Sequence, residues 1–176
     1  PRFQVCWSTR GLSVVEDVEA VRVEGRYVVH VRLHAEGERG FKLLVVSSPF
    51  TPYGIRPQHV VQVEDGVILV NGFVGISALT PPDEAYAIGV EEYTLEDVAL
   101  GLIRPGRRAE SRVGLAYAAL AYELKEGRLD LDLLMPMEPL SPEKGGVLTS
   151  ISVDHLDTAR TSCSALWEEL HSKCMR

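Results

Sequence analysis

The sequence predicts an α+β fold: a β-rich N-terminal half with hairpins, then a C-terminal helix–strand–strand–helix unit, around a mostly antiparallel sheet. Three observations lead there. Apolar residues alternate with polar ones through residues 1–80, glycine turns punctuate that alternation, and three- and four-residue spacing takes over within residues 107–176. The length of 176 residues suits one α+β domain over 1–176, with sub-units at 1–80 (β-rich) and 107–176 (αββα).

Phe3–Trp7 is a short strand that starts a sheet. Ala20–Glu24 and Tyr27–Ala35 both alternate, and Gly25-Arg26 between them makes a hairpin. Leu43-Leu44-Val45-Val46 is apolar at consecutive positions, which reads as a central strand buried on both faces. Val60–Val63 and Val67–Val70 flank Glu64-Asp65-Gly66, where Asp-Gly between β-branched runs is a strong hairpin signal. Asn71-Gly72 turns the chain again before Phe73–Leu79.

Thr80-Pro81-Pro82-Asp83 ends this pattern, and Ala85–Val90 fits a strand or a short helix equally. Thr94 and Asp97 form a capping pattern for a helix over Leu95–Ile103, stopped by Pro105-Gly106. Val113, Ala116, Tyr117, Leu120 and Leu124 recur at helical spacing, so a helix is expected over Ala109–Lys125 with Gly127 as its stop. Leu129, Leu131 and Leu133 alternate with Asp130 and Asp132 as a half-buried strand. Val147–Val153 is expected to be a second strand after the loop 136–146. A last helix begins near Asp154, with Leu156, Ala159, Cys163, Leu166 and Leu170 on its apolar face and Trp167 on the flank. That stripe is a candidate dimer interface.

A net charge of −7 argues against non-specific binding of nucleic acid or anionic membrane through bulk charge. No apolar stretch approaches the roughly 18–20 residues of a spanning helix, and the start, PRFQVCWSTRG, has no signal-peptide core. Cys6, Cys163 and Cys174 are odd in number and lack metal-ligand spacing, so reduced thiols in a cytoplasmic protein are expected. Asn71 is the only asparagine, and Gln4, Gln58 and Gln62 are the only glutamines. Such scarcity of thermolabile amides points to a thermophilic source, although high-GC codon usage gives the same bias.

Two segments stand out chemically. Arg104, Arg107, Arg108 and Arg112 form the densest basic cluster, placed where the first turn of the 109–125 helix is expected. A helix N-terminus offers free N–H groups to an anion, so the cluster is a candidate site for phosphate, nucleotide or RNA backbone, with Arg56 as a further candidate. The bland reading is a solvated surface partly neutralised by Glu110. The second segment, Ser47–His59, carries three prolines together with Ser47, Ser48, Tyr53, Arg56 and His59. A serine and a histidine suggest a nucleophile and a base, yet no G-x-S-x-G elbow or orienting acid accompanies them. The bland reading there is a proline-stiffened connection capped by Phe50 and Tyr53.

His30 and His34 share one face of a strand but lie two pleats apart, and nothing else has metal-ligand spacing, so no metal is expected. Asp154, His155 and Asp157 read most simply as the capping turn of the last helix. The chain has no Walker A loop, G-x-G-x-x-G, H-E-x-x-H or C-x-x-C.

The segment LTSISVDHLDTARTSCSALWEEL, with Arg160 and Ser162 in its helix, resembles the end of the small dimerising subunit of the KEOPS tRNA-modification complex. That resemblance implies dimerisation or proximity to tRNA. The resulting expectation is a binding or assembly module, self-associating as a homodimer, that holds a phosphate-bearing ligand or RNA through its arginines. The alternative is a small enzyme acting on a phosphorylated small molecule at the 47–59 loop, with Tyr53, Arg56 and His59 converging on one pocket. The sequence leaves the cofactor and the catalytic residues unknown.

Overall fold

The computed structural model describes residues 2–52 and 54–174. It corrects the expected α+β class: 52% of the chain is strand and 17% helix, so the fold is mostly β. The strands are β1 (Arg2–Thr9), β2 (Leu12–Val23), β3 (Arg26–Gly37), β4 (Lys42–Ser47), β5 (Phe50–Thr51), β6 (Gly54–Ile55), β7 (Val60–Glu64), β8 (Val67–Val70), β9 (Phe73–Ala78), β10 (Glu84–Gly89), β11 (Arg108–Glu110), β12 (Ala116–Glu123) and β13 (Arg128–Pro136). The helices are α1 (Leu95–Ala99), α2 (Pro142–Thr149) and α3 (Val153–Cys174). Among the described residues, no helix is long and apolar enough to cross a membrane.

An eight-stranded sheet runs β1-β2-β3-β13-β9-β8-β7-β11, and a three-stranded sheet runs β10-β12-β4, with antiparallel pairing between named neighbours in both. Three hairpins turn on X-Gly pairs in which both residues have positive φ, Glu24-Gly25, Asp65-Gly66 and Asn71-Gly72, and Glu126-Gly127 has the same conformation where the chain passes from β12 to β13. This turn geometry matches the right-handed twist of the flanking strands, and the second position favours glycine because it has no Cβ to clash.

The two sheets pack face to face over a core that includes Leu33, Val61, Ile68, Leu120, Tyr122 and Leu131, all buried. On the far face of the large sheet, Leu148 of α2 and Leu156 and Ala159 of α3 close over Val21, Val28 and Leu134. On the far face of the small sheet, Val98 of α1 packs with Tyr86, Ile88 and Ala119. The order of layers is therefore helix pair, large sheet, small sheet, short helix.

Three elements differ from the sequence reading, each for a physical reason. The helix expected over 109–125 is strand β12. As the central strand of the small sheet, β12 is packed on both faces, and an alanine-rich run buried on both sides carries no period-two signal. Gly127 accordingly sits in the tight turn that carries the chain from the small sheet to the large one, and is not a helix stop. The strand expected at 147–153 is instead the end of α2, the turn after it and the first residue of α3. Ser141 with Pro142 at the first helical position is a helix start, and the neighbouring prolines and glycines disguise it as a loop. The expected central strand, β4, is apolar on both faces but lies at the edge of the small sheet and is only half-buried.

The C-terminal order is thus strand, strand, helix, helix. The helix–strand–strand–helix unit expected over 107–176, which contains the KEOPS-like segment, is not formed. In α3, Leu156 and Ala159 face inward and Cys163 is half-buried, whereas Leu166 is exposed. The side chains of Trp167 and Leu170 lie outside the described residues, and so does Tyr53.

Candidate functional site

The arginine segment sits on the seam between the two sheets. Thr94 caps α1 reciprocally with Asp97, and the chain leaves α1 through Gly101 at φ 68°. It then lies along β10, where Gly106 N–H donates to the Ala85 carbonyl (3.2 Å) and Ala87 N–H donates to the Gly106 carbonyl (2.8 Å). Two residues later it has joined β7 as β11. The arginines therefore occupy a loop and an edge strand. The expected helix N-terminus beneath them is absent, and with it the dipole argument for anion binding.

Strand geometry then separates them. Side chains two apart share a face and adjacent ones oppose. Arg108 pairs with Glu110 (Nη2–Oε1 2.8 Å), and both line a cleft of about 680 Å3 with Arg104, Tyr93, Ile103 and Glu92. Arg107 lies on the other side, in a cleft of about 540 Å3 lined by Asp65, Pro82, Asp83 and Glu84. The Arg104 guanidinium has no ion pair among the described residues.

Arg112 belongs to a third arrangement. Glu91 Oε1 accepts from Ser111 Oγ (3.0 Å), Arg112 N–H (2.9 Å) and Val113 N–H (3.4 Å). A bond from its own backbone N–H, together with these from Ser111, Val113 and Arg112, holds the Glu91 carboxyl below the ordinary carboxylate range. The backbone donors beside Arg112 are therefore already satisfied by the chain's own anion.

The 47–59 loop forms the small hairpin β5–β6. Ser47 Oγ and the Gln58 amide exchange contacts at 3.3–3.5 Å. His59 Nδ1 meets the Ser111 carbonyl at 3.2 Å, and the Asn71 carboxamide holds His59 N–H (2.8 Å) and the Pro57 carbonyl (3.0 Å). Arg56 is exposed. Ser47 and His59 are thus each bonded elsewhere, not to one another. Phe50 meets Tyr117, with ring centroids 6.3 Å apart, although half of Phe50 remains exposed.

Sequence reading missed a ladder of charges where α3 crosses the large sheet. Register places Glu19 opposite His30 and Asp17 opposite Arg32, and Asp132 opposite Arg32 on the other side. The fully buried His30 bonds through Nε2 to Asp132 Oδ1 (2.7 Å), which also accepts from Arg32 Nε (2.9 Å). Arg32 Nη2 reaches Asp157 of α3 (3.0 Å), and Arg160 of α3 pairs with the buried Glu19. Burial works to raise the Asp132 carboxyl, but His30 and Arg32 outweigh it and hold the group below its ordinary value. One pleat further out, His34 bonds to Asp130 (2.6 Å) and Glu36 (3.1 Å), which raises its imidazole above the ordinary value. The two histidines thus serve separate carboxylates and share no ligand. Asp157, read from the sequence as part of a capping turn, is an anchor from α3 to β3. The Ser152 hydroxyl does the capping, accepting from His155 N–H at 3.2 Å.

A visible signal for this ladder existed. A strand with His30, Arg32 and His34 on one face runs between strands carrying Asp17 and Glu19, and Asp130 and Asp132, and opposite charges across strands attract.

The chain matches no protein-family model, and no curated protein or solved structure matches it.

Proposed function

We infer that the chain is a binding and assembly module that takes an anionic, phosphate-bearing partner in the cleft between Arg104 and Arg108. The observation that carries this reading is the Arg104 guanidinium. It has no ion pair among the described residues, and it lines a cleft of about 680 Å3 beside the half-exposed ring of Tyr93. That volume falls within the roughly 300–1,000 Å3 of small-molecule sites. Glu110 competes for Arg108, but both partners are more than half exposed. Surface pairs of this kind are worth about 0–1 kcal/mol, so a phosphate can displace the carboxylate at little cost. The competing reading, an enzyme acting on a phosphorylated small molecule, needs Tyr53, Arg56 and His59 to converge on one pocket; Tyr53 lies outside the described residues, and the exposed Arg56 and the bond from His59 to the Ser111 carbonyl weigh against it.

Calorimetric titration with ATP, pyrophosphate and a short single-stranded RNA tests the reading. Replacing Arg104 and Arg108 together by alanine is expected to weaken binding by at least about tenfold, the equivalent of one lost charge-assisted contact. Arg107→Ala, on the other side of the strand, is expected to leave it unchanged. Equal affinities for the double variant and the parent chain would sink the proposal, as would failure of the parent chain to bind any of the three probes.

A further inference from the structure

We propose that β1 is a self-association edge, pairing antiparallel with β1 of a second copy about a two-fold axis at Val5. Among the described residues, β1 is the outermost strand of the large sheet, and its neighbour within that sheet is β2 alone. An edge strand presents a row of backbone N–H and C=O groups that accept a further strand, and proteins commonly blunt such edges with charge, proline, a bulge or shortness. The opposite edge of this sheet is blunted: β11 has three residues, two of them Arg108 and Glu110. β1 has eight residues, pairs with β2 without a register break, and between residues 3 and 9 has neither a charged side chain nor a proline.

The side chains favour a copy of the same strand. Phe3, Val5 and Trp7 alternate along one face and remain 63%, 48% and 41% exposed. They lie opposite Val18, Glu16 and Val14 of β2, on the face that packs against the small sheet further in. The row therefore continues the core face beyond the strands that the small sheet covers. Antiparallel pairing about Val5 sets Phe3 against Trp7 of the copy and Val5 against Val5. Two exposed rows become one apolar strip, with no like charges opposed between residues 3 and 7. Aromatic and β-branched cross-strand pairs stabilise such a contact. A single strand pair is a small contact beside the roughly 1,200–2,000 Å2 of a standard interface, so a weak dimer is expected, and the micromolar range is where to look for it.

Sedimentation velocity of the purified chain from about 1 to 200 µM covers that range. The expected result is a monomer–dimer equilibrium that Val5→Lys weakens by at least about tenfold, because two ammonium groups then face each other. Mixing Val5→Lys with Val5→Glu is expected to restore the dimer, since residue 5 meets itself only in this register. Phe3→Lys, at the most exposed position of the row, repeats the test if Val5→Lys lowers the Tm. A monomer at every concentration would overturn the proposal, and would leave a strand from a different protein as the occupant of the edge. A dimer unaffected by these charges, or a mixture no more associated than Val5→Lys alone, would overturn it equally.

Discussion

The two faces of the large sheet are built on different principles. The face toward the small sheet is packed with Val, Leu, Ile, Ala and Tyr, and its cohesion comes from area removed from water. The face toward α3 is apolar around Val21, Val28 and Leu134 but turns ionic toward Glu19, His30, Arg32 and Asp132. Apolar contacts are non-directional, so loss of one side chain is felt in proportion to the hole it leaves. Buried charges are conditional on their partners: a complete set is close to neutral beside an apolar replacement, while a broken one strands a charge away from water. The apolar face holds the sheets together. The ionic face fixes where α3 lies, because Arg160 must find Glu19 and Asp157 must find Arg32.

The largest expected effect tests that conditional character. Arg160→Ala leaves Glu19 buried without its cation, and urea denaturation is expected to show a loss of about 3–5 kcal/mol. Combining Glu19→Leu with Arg160→Met is expected to recover most of it. A loss below about 1 kcal/mol for Arg160→Ala would mean that water reaches Glu19 and the pair behaves as a surface one. On the apolar face, Leu120→Ala in the centre of β12 is expected to cost about 2–5 kcal/mol, with no single second substitution to restore it.

The smallest effect lies at the exposed end of the ladder. His34, about one-third exposed, is expected to titrate above its ordinary value of 6.5, chiefly through Asp130 and then Glu36. A folded-state value raised in this way contributes stability that is fully present below the unfolded value and is lost as pH rises through the folded one. Imidazole C–H resonances followed by NMR should report the elevation, and Asp130→Asn should bring it back toward 6.5. An unaltered His34 titration in that variant would assign the elevation to Glu36 alone.

What was legible in the sequence follows the range of the interactions. Asp65-Gly66 and Gly25 mark hairpins because turn geometry is decided within two residues, and Thr94 with Asp97 marks α1 because a capping box is equally local. The strand β12 was not legible, because its period is erased by burial on both sides, and burial is a property of the assembled sheets. The arginines were legible as a cluster in the chain but not as a distribution in space: whether Arg107 and Arg108 share a face depends on helix or strand, and the reading of 109–125 had that wrong. The ladder depended on register across about a hundred positions, with His30 and Asp132 separated by 102. No local pattern specifies that pairing.

The position of β13 has a consequence for the order of assembly. β1–β2–β3 and β7–β8–β9 are each runs of neighbouring antiparallel strands, and β13 is the strand that lies between them, pairing with β3 on one side and β9 on the other. On a ribosome, both meanders emerge well before residue 128. Until β13 arrives, the edges of β3 and β9 stand open, and His30 waits for a carboxylate not yet synthesised. Closing contacts of such long sequence separation makes folding slow and leaves the nascent chain exposed to strand-to-strand aggregation. The keystone of this sheet is among the last strands to be made.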